Sequence, residues 1–275
     1  MSASEAAGTP AAQAPAASSP PRRDLARHPA VQILLPVLFA AAVLLLWEWL
    51  VRAHAVPEVI LPPPSAIYRR ILTAWPFLVQ HAVPTGSEAA LGFLMATVLG
   101  IALAVLLAYS RWAHAALYPN VVFFQLIPKI ALAPLFIVWL GIGSESRLAF
   151  SMFIAFFPVV IATLTGLNAT PPDMLRLCQA LTARSWQVFL SVRFPYALPH
   201  IFAGLKIAVT FAIIGVIVGE FITAQAGLGY LILFASRQAE TALILASIAM
   251  LCVVGLLLYG AVAGLEKVIL RRYGH

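Results

Sequence analysis

Charged side chains are scarce in this sequence. Only 10% of its 275 residues are Asp, Glu, Lys or Arg, and 62% are apolar. Soluble domains contain about 25% charged and roughly 45–50% apolar residues. A water-soluble domain of this composition could not cover its surface with polar side chains. The composition therefore excludes an ordinary cytosolic enzyme and a disordered chain, and it indicates a protein embedded in a lipid bilayer.

The residues that bind and hydrolyse a nucleotide are also missing. A phosphate-binding P-loop requires a Gly-Lys pair. The three lysines, Lys129, Lys206 and Lys267, follow proline, leucine and glutamate. The signatures H-E-x-x-H and G-x-S-x-G and paired carboxylates are absent as well. We therefore expect no catalytic residues, and any energy for transport should come from another subunit.

Carboxylates are few within the apolar stretches. The only aspartates, Asp24 and Asp173, lie outside them, and Glu48, Glu88 and Glu220 lie near their ends. Proton- or sodium-coupled carriers usually hold carboxylates deep in the membrane. The scarcity of such carboxylates argues against a gradient-driven secondary transporter. A carrier of this kind, or a channel without an ATPase, is the alternative to transport driven by a separate ATPase subunit.

Cysteine and histidine give no sign of a metal site or a cofactor. The two cysteines lie in different kinds of segment, and the six histidines are dispersed. The net charge of +7 comes from basic residues scattered between apolar runs. These are charges at the membrane edge, so we expect lipid and not nucleic acid as a partner.

Six long apolar stretches predict an all-α polytopic membrane protein. Each approaches or exceeds the ~20 residues that cross the hydrocarbon core. They lie at about 31–51, 87–109, 117–140, 148–168, 201–222 and 242–265. Lysines and arginines outside the stretches are concentrated on the side that holds the N-terminus. Both termini are therefore expected in the cytoplasm.

The first apolar stretch has an alternative interpretation as a cleaved signal peptide. Arg22 and Arg23 precede it, and Ala53-His54-Ala55 resembles a cleavage site. Its length, and Trp47 and Trp49 at its far edge, favour an anchored helix instead.

The polar interruption at 169–200 is the most informative segment. Residues 173–199 read DMLRLCQALTARSWQVFLSVRFPYALP. Two short amphipathic helices are expected, 173–183 and 185–193, with Leu181, Trp186 and Phe189 among their apolar contacts. Pro195 and Pro199 should end the second helix before the next span. Apolar side chains in a basic cytoplasmic loop indicate a partner site. The alternative is a loop that packs on its own helices.

This segment resembles the cytoplasmic coupling loop of bacterial ABC importer permeases, whose pattern is E-A-A-x(3)-G-x(9)-I-x-L-P. Arg176, Leu177 and Cys178 lie at the E-A-A positions, Thr182 lies at the glycine and Pro195 at the proline. Arginine in place of glutamate alters the electrostatic match to an ATPase. At the glycine position, threonine either adopts a strained positive φ or the turn is shaped differently.

Further segments extend the resemblance over roughly 80–265. They are PKIALAPL at 128–135 and GLGYLI at 227–232, and the similarity is greatest to nitrate, sulfonate and taurine permeases. The resemblance implies a bundle like that of type I ABC importer permeases in a bacterial inner membrane. It also implies three partners: an ABC ATPase subunit, a second copy of the chain and an external solute-binding protein.

The expected organisation has four parts. A disordered cytoplasmic tail covers 1–29, the first transmembrane helix and an external amphipathic segment cover 30–80, and a cytoplasmic tail covers 266–275. Between them, 81–265 forms the permease core with its coupling loop at 169–200. Within this loop the coupling residues are expected to be Arg176, Leu177, Cys178, Leu181, Thr182, Trp186, Phe189, Pro195 and Pro199.

Two charged residues are candidates for the translocation path. Lys129 lies between Pro128 and Pro134, which should break the helix and expose backbone to protein or water. A cation there could attract a small anionic solute, or it snorkels or pairs with a glutamate. Glu220 either caps the path or pairs with a basic residue.

Overall fold

The computed structural model describes residues 29–223 and 225–273, so the expected tail at 1–29 lies outside it except for its last residue. Contacts divide the chain into 1–49 and 50–275, and all sites below lie in the second unit. The helices are α1 Pro29–Ala53, α2 Pro64–Thr73, α3 Trp75–Tyr109, α4 Arg111–Leu126, α5 Ala133–Leu140, α6 Ser144–Asn168, α7 Pro172–Ala180, α8 Ser185–Val188, α9 Phe194–Thr223, α10 Leu228–Arg237 and α11 Thr241–Arg272.

The helices confirm the all-α polytopic class. Five helical runs among the described residues are long and apolar enough to cross a membrane. Helix α4 and the segment Lys129–Leu140 are long and apolar enough only as a pair, with a bend of 93° between them, and they make a sixth span if the pair is counted as one. The sequence predicted this break, since Pro128 cannot continue the hydrogen-bond ladder of α4. A short 3₁₀ turn, Lys129–Leu132, leads into α5.

Helix α6 is the centre of the second unit and packs along both α3 and α9. Small residues permit this close approach. A Cβ at Gly100 would lie 2.8 Å from Val159 Cγ1, and one at Gly204 would overlap Ala162. Ser151 of α6 also donates a 2.9 Å hydrogen bond to the Ala212 carbonyl of α9.

Helix α3 begins at Trp75, twelve residues before the predicted start of the second span at 87. This stretch was expected to precede the second span, but it is helical and several of its polar residues are buried. His81, Thr85 and Glu88 all have partners in other helices. A polar residue whose hydrogen bonds are satisfied does not interrupt a buried helix.

The external amphipathic segment contains α2. Ile67 and Ile71 pack against an apolar cluster formed with α10 and α11, whereas Leu72 and Trp75 stay exposed. An ion pair of 2.5 Å between Arg70 and Glu240 joins this helix to the start of α11.

Candidate functional site

The first of the two short helices predicted for the 169–200 loop is present as α7, whereas the second, at 185–193, is the start of a longer helical run. Helix α7 begins after Pro171, and α8 follows a tight turn at 181–184. Gln187 Oε1 accepts a 2.8 Å hydrogen bond from the Arg184 amide and so caps the start of α8. On α7, Arg176 and Asp173 are 3.4 Å apart with most of both side chains exposed, so this pair adds little stability.

Thr182 has a positive φ of 53°, which decides between the two alternatives for this position. The Thr182 amide bonds to the Gln179 carbonyl and the Ala183 amide to the Cys178 carbonyl, each at 3.0 Å. These two bonds define a Schellman turn, in which the residue with positive φ is usually glycine. Thr182 therefore retains the turn shape that glycine normally permits, at the cost of local strain.

We expect Thr182→Gly to stabilise this turn. Removing a β-branched side chain from the left-handed region relieves about 1–2 kcal/mol of backbone strain. The greater conformational freedom of glycine in the unfolded chain offsets part of this gain in stability. A rise in Tm in detergent, with Ala180→Gly as a control that lowers Tm, would measure the effect. A lower Tm for Thr182→Gly would contradict it.

An exposed apolar surface covers both sides of this turn. Four large side chains, each more than half exposed, form it: Leu177, Leu181, Trp186 and Leu190. Phe189, which the sequence placed on the same surface, packs inward instead. Its ring centre lies 5.5 Å from that of Tyr109 and 5.8 Å from that of Phe194.

The prediction that Pro195 and Pro199 end the second helix is wrong. Ser185–Thr223 is one helical run of 39 residues. A π turn at Phe189–Arg193 precedes Pro195, and the Phe194 amide bonds back to the Phe189 carbonyl. This wider turn accommodates the proline ring, and proline is tolerated in the first turn of the helix that follows. Pro199 remains inside α9, where neighbouring helices support it.

A cavity of about 300 Å³ separates the end of α3 from α7 and α8. Tyr109, Gln179 and Arg193 are among its lining residues. The Arg193 guanidinium lies 5.9 Å from the Tyr109 ring centre, near the outer limit of a cation–π contact.

Lys129 lies at the bend between α4 and α5. Its Nζ donates a 2.9 Å hydrogen bond to the Gln125 carbonyl and lies 5.1 Å from the ring centre of Phe157. Pro128 precedes the 3₁₀ turn, and Pro134 lies in the first turn of α5. Within the described ranges Lys129 forms no pair with a glutamate.

Glu220 is 2% exposed and binds the start of α10. Its Oε1 accepts a 2.6 Å bond from the Thr85 hydroxyl, and its Oε2 accepts a 2.6 Å bond from the Gly229 amide. The Thr85 hydroxyl accepts a further bond from the Leu228 amide, and His81 Nδ1 accepts one from Gly227. Gly227 has φ of 113°, so the chain enters α10 through a left-handed residue.

A buried ion pair lies beside this carboxylate. Arg147 binds both oxygens of Glu88, at 2.8 and 2.6 Å. Glu220 therefore accepts hydrogen bonds from one backbone amide and one hydroxyl, while Arg147 pairs with Glu88. A Cβ at Gly219 would lie 2.7 Å from Arg147 Cγ, so glycine makes room for the arginine stem. We call His81, Thr85, Glu88, Arg147 and Glu220 the Glu220 cluster.

Sequence reasoning missed four of these five residues as a group. His81, Thr85 and Glu88 are spaced i, i+4 and i+7, which places them on one face of a helix. That spacing would have identified them if the predicted helix had begun at Trp75, as α3 does. Lys129 does not join the cluster, because its contact Phe157 lies ten residues beyond Arg147 on α6, about 15 Å along the axis.

Residues 96–273 match the family described as the binding-protein-dependent transport system inner membrane component. The chain belongs to this family. This permease is 36% identical over 229 residues to a probable ABC transporter permease of Haemophilus influenzae, covering 83% of this chain and 94% of that one. It is 33% identical over 239 residues to the formylaminopyrimidine permease of Halalkalibacterium halodurans, covering 87% and 96%.

Relatives with other solutes and a solved structure agree with this assignment. Permeases for aliphatic sulfonates in Bacillus subtilis and taurine in Escherichia coli are 29% and 28% identical, each over 86% of this chain and 86% and 88% of their own length. An inward-facing MetNI methionine ABC transporter chain matches with a TM-score of 0.63 at 19% identity, covering 72% of this chain and 98% of that one. The protein is thus a multi-pass membrane component of an ABC importer with the type I fold.

Proposed function

We propose that this permease works as a homodimer, binds a separate ABC ATPase through the 169–200 loop and receives solute from an external binding protein. The exposed apolar surface around Trp186 carries this proposal, because a soluble partner is needed to cover it. The chain itself lacks a P-loop, so ATP hydrolysis belongs to the partner. Two copies supply one loop to each of two ATPase subunits.

The test of this function is co-purification from the host membrane. An ABC ATPase should copurify with the permease in detergent, and the reconstituted complex should hydrolyse ATP faster when loaded binding protein is added. A permease that moves solute without any ATPase would support the gradient-driven carrier instead.

The proposed orientation places both termini and the 169–200 loop in the cytoplasm of a bacterial cell. The Glu220 cluster and α2 then face outward. In this arrangement 30–80 supplies the first span and the external helix, 81–265 is the permease core, and 266–275 is the cytoplasmic end that contains the last turns of α11.

Cysteine labelling tests the orientation. In a variant with both native cysteines replaced by serine, Ile60→Cys should react with an impermeant maleimide in intact spheroplasts, and Leu181→Cys only after permeabilisation. Both positions are 70% exposed, so a difference in labelling reports sidedness and not burial. The reverse pattern would overturn the orientation drawn from the basic residues.

The proposed solute is a small anion that passes the bend at Pro128 and Pro134. Lys129 uses one donor on Gln125, which leaves two N–H groups for an anion. Two of the relatives are named as permeases for sulfonates and taurine. At the other end of the bundle, Glu220 anchors α10 beside the entrance to the path.

We expect Lys129→Met to impair uptake of an anionic solute by about 10- to 100-fold, the equivalent of a charge-assisted hydrogen bond of about 1.5–3 kcal/mol. Lys129→Arg should retain part of the activity because the charge is kept. The measurement is uptake per inserted complex, with basal ATP hydrolysis unchanged. Lys267→Met removes an exposed lysine and is the matched control.

The results distinguish a Lys129 that selects anions from a Lys129 that only supports the fold. If Lys129 only supports the fold, Lys129→Met should lower Tm and the amount of inserted protein, and it should impair neutral and anionic solutes alike. Unchanged uptake with full stability would contradict both roles.

A further inference from the structure

We infer that the partner surface receiving the 169–200 loop is acidic as well as apolar: a groove in the ATPase lined by apolar side chains and bordered by carboxylates. This inference rests on the proposed docking of an ATPase at the loop. The inference adds to that proposal the sign of the charge on the partner surface. This sign follows from loop arginines whose charge is poorly compensated within the chain.

Two exposed arginines lie within a few residues of the exposed apolar side chains. Arg176 precedes Leu177 on α7, and Arg184 lies between Leu181 and Trp186 in sequence. Leu177 and Leu181 are four residues apart and share a face of the helix and the turn that follows it. A partner that covers both Leu181 and Trp186 spans the turn that carries Arg184, and so comes close to this arginine.

These arginines have little compensation within the chain. Arg176 pairs only with Asp173, at 3.4 Å, and their side chains are 79% and 88% exposed. Across the residues that the structure describes, neither Arg184 nor Arg193 pairs with a carboxylate. Arg193 instead lies over Tyr109 in the cavity beside α7 and α8. The loop thus presents uncompensated positive charge around its apolar centre.

Covering this surface requires carboxylates from the partner. An arginine transferred from water into an apolar groove loses hydration, and only an opposite charge with good hydrogen bonds offsets that loss. A basic groove would add repulsion to the same loss. Carboxylates at the groove rim bind the arginine fork in a bidentate geometry and leave the centre to Leu181 and Trp186.

The shape of the loop favours a protein over lipid headgroups as this partner. The Schellman turn at Thr182 and the capped start of α8 fix Leu181 and Trp186 on either side of one turn. A fixed contour of this kind matches a groove, whereas a fluid layer of anionic headgroups recognises charge without shape.

The experiment measures binding of the purified ATPase to the permease in phosphatidylcholine nanodiscs, at low and high salt. For the unmodified permease, affinity should fall as salt rises. Arg184→Glu and Arg176→Glu should each weaken binding by about tenfold at low salt, and salt should no longer weaken binding of the doubly substituted permease. Arg184→Lys keeps the charge but loses the bidentate fork, so it should weaken binding less than Arg184→Glu does. Arg237→Glu, an exposed arginine on α10, is the control for net charge and should change nothing.

Different results separate the inference from the proposed function. If Arg184→Glu and Arg176→Glu bind as tightly as Arg237→Glu while Trp186→Asp abolishes binding, the acidic groove is wrong and the docking site stands. If Trp186→Asp also leaves binding intact, the docking proposal itself fails. An effect of the arginine variants that occurs only in nanodiscs with anionic phosphatidylglycerol assigns the charge to lipid and overturns the inference.

Discussion

Trp186→Asp should abolish solute uptake while the permease still inserts and folds. Trp186 is 59% exposed, so its replacement removes little packing within the chain. In the complex, however, an aspartate at this position is buried in the apolar part of the partner groove. An unpaired carboxylate there costs several kcal/mol, which is more than 100-fold in affinity. Recruitment of the ATPase and binding-protein-stimulated hydrolysis, measured per inserted permease, would report the loss.

Two further variants show whether the loss comes from docking. Trp186→Phe keeps an aromatic side chain and should retain most of the activity. Phe189→Asp should instead destabilise the permease itself, because Phe189 packs against Tyr109 and Phe194. Its Tm should fall together with uptake, whereas Trp186→Asp should leave Tm unchanged. Normal ATPase recruitment by Trp186→Asp would contradict docking at this surface.

Glu220→Ala should release α10 from the bundle. The substitution leaves the Gly229 amide buried without its acceptor, at about 1–3 kcal/mol, and leaves the Thr85 hydroxyl only the His81 carbonyl at 3.2 Å. It also opens a cavity at the place where the Glu220 carboxylate packs closely against Gly227. We expect a large fall in Tm and new protease cleavage at 224–228, together with loss of uptake.

Matched carboxylates serve as controls. Glu220→Gln keeps the shape and one acceptor oxygen, so its effect should be intermediate. Glu240→Ala removes a carboxylate from an ion pair with Arg70 whose side chains are 38% and 43% exposed, and it should change stability by less than about 1 kcal/mol. Equal effects of Glu220→Ala and Glu240→Ala would show that the buried carboxylate does not hold α10.

Features that depend on local chemistry could be predicted from the sequence. Pro128 breaks the third span because a missing amide acts within one turn of the helix. The positive φ of Thr182 was one of two alternatives, since the family pattern places a glycine there. Helix α7 likewise follows from its amphipathic spacing.

Features that depend on partners far away in the sequence could not be predicted from it. The start of α3 was misplaced because His81 and Thr85 are polar, and their partners lie more than 130 residues away. Phe189 was assigned to the exposed surface because helical spacing does not say which apolar residues meet Tyr109. Pro195 was taken as a helix end because a π turn leaves no recognisable pattern in a single sequence.

The helical run Ser185–Thr223 connects the two ends of the bundle, so a tilt of this helix moves both ends together. Its 39 residues extend about 58 Å, with Trp186 at one end and Glu220 at the other. Tilting a stiff rod of this length by about 5° around its middle moves each end by about 2.5 Å, in opposite directions. Glu220 is bonded to Gly229, so α10 must travel with that end. A pull on the helix at Trp186 would thus shift α10 directly, without passing through a loop.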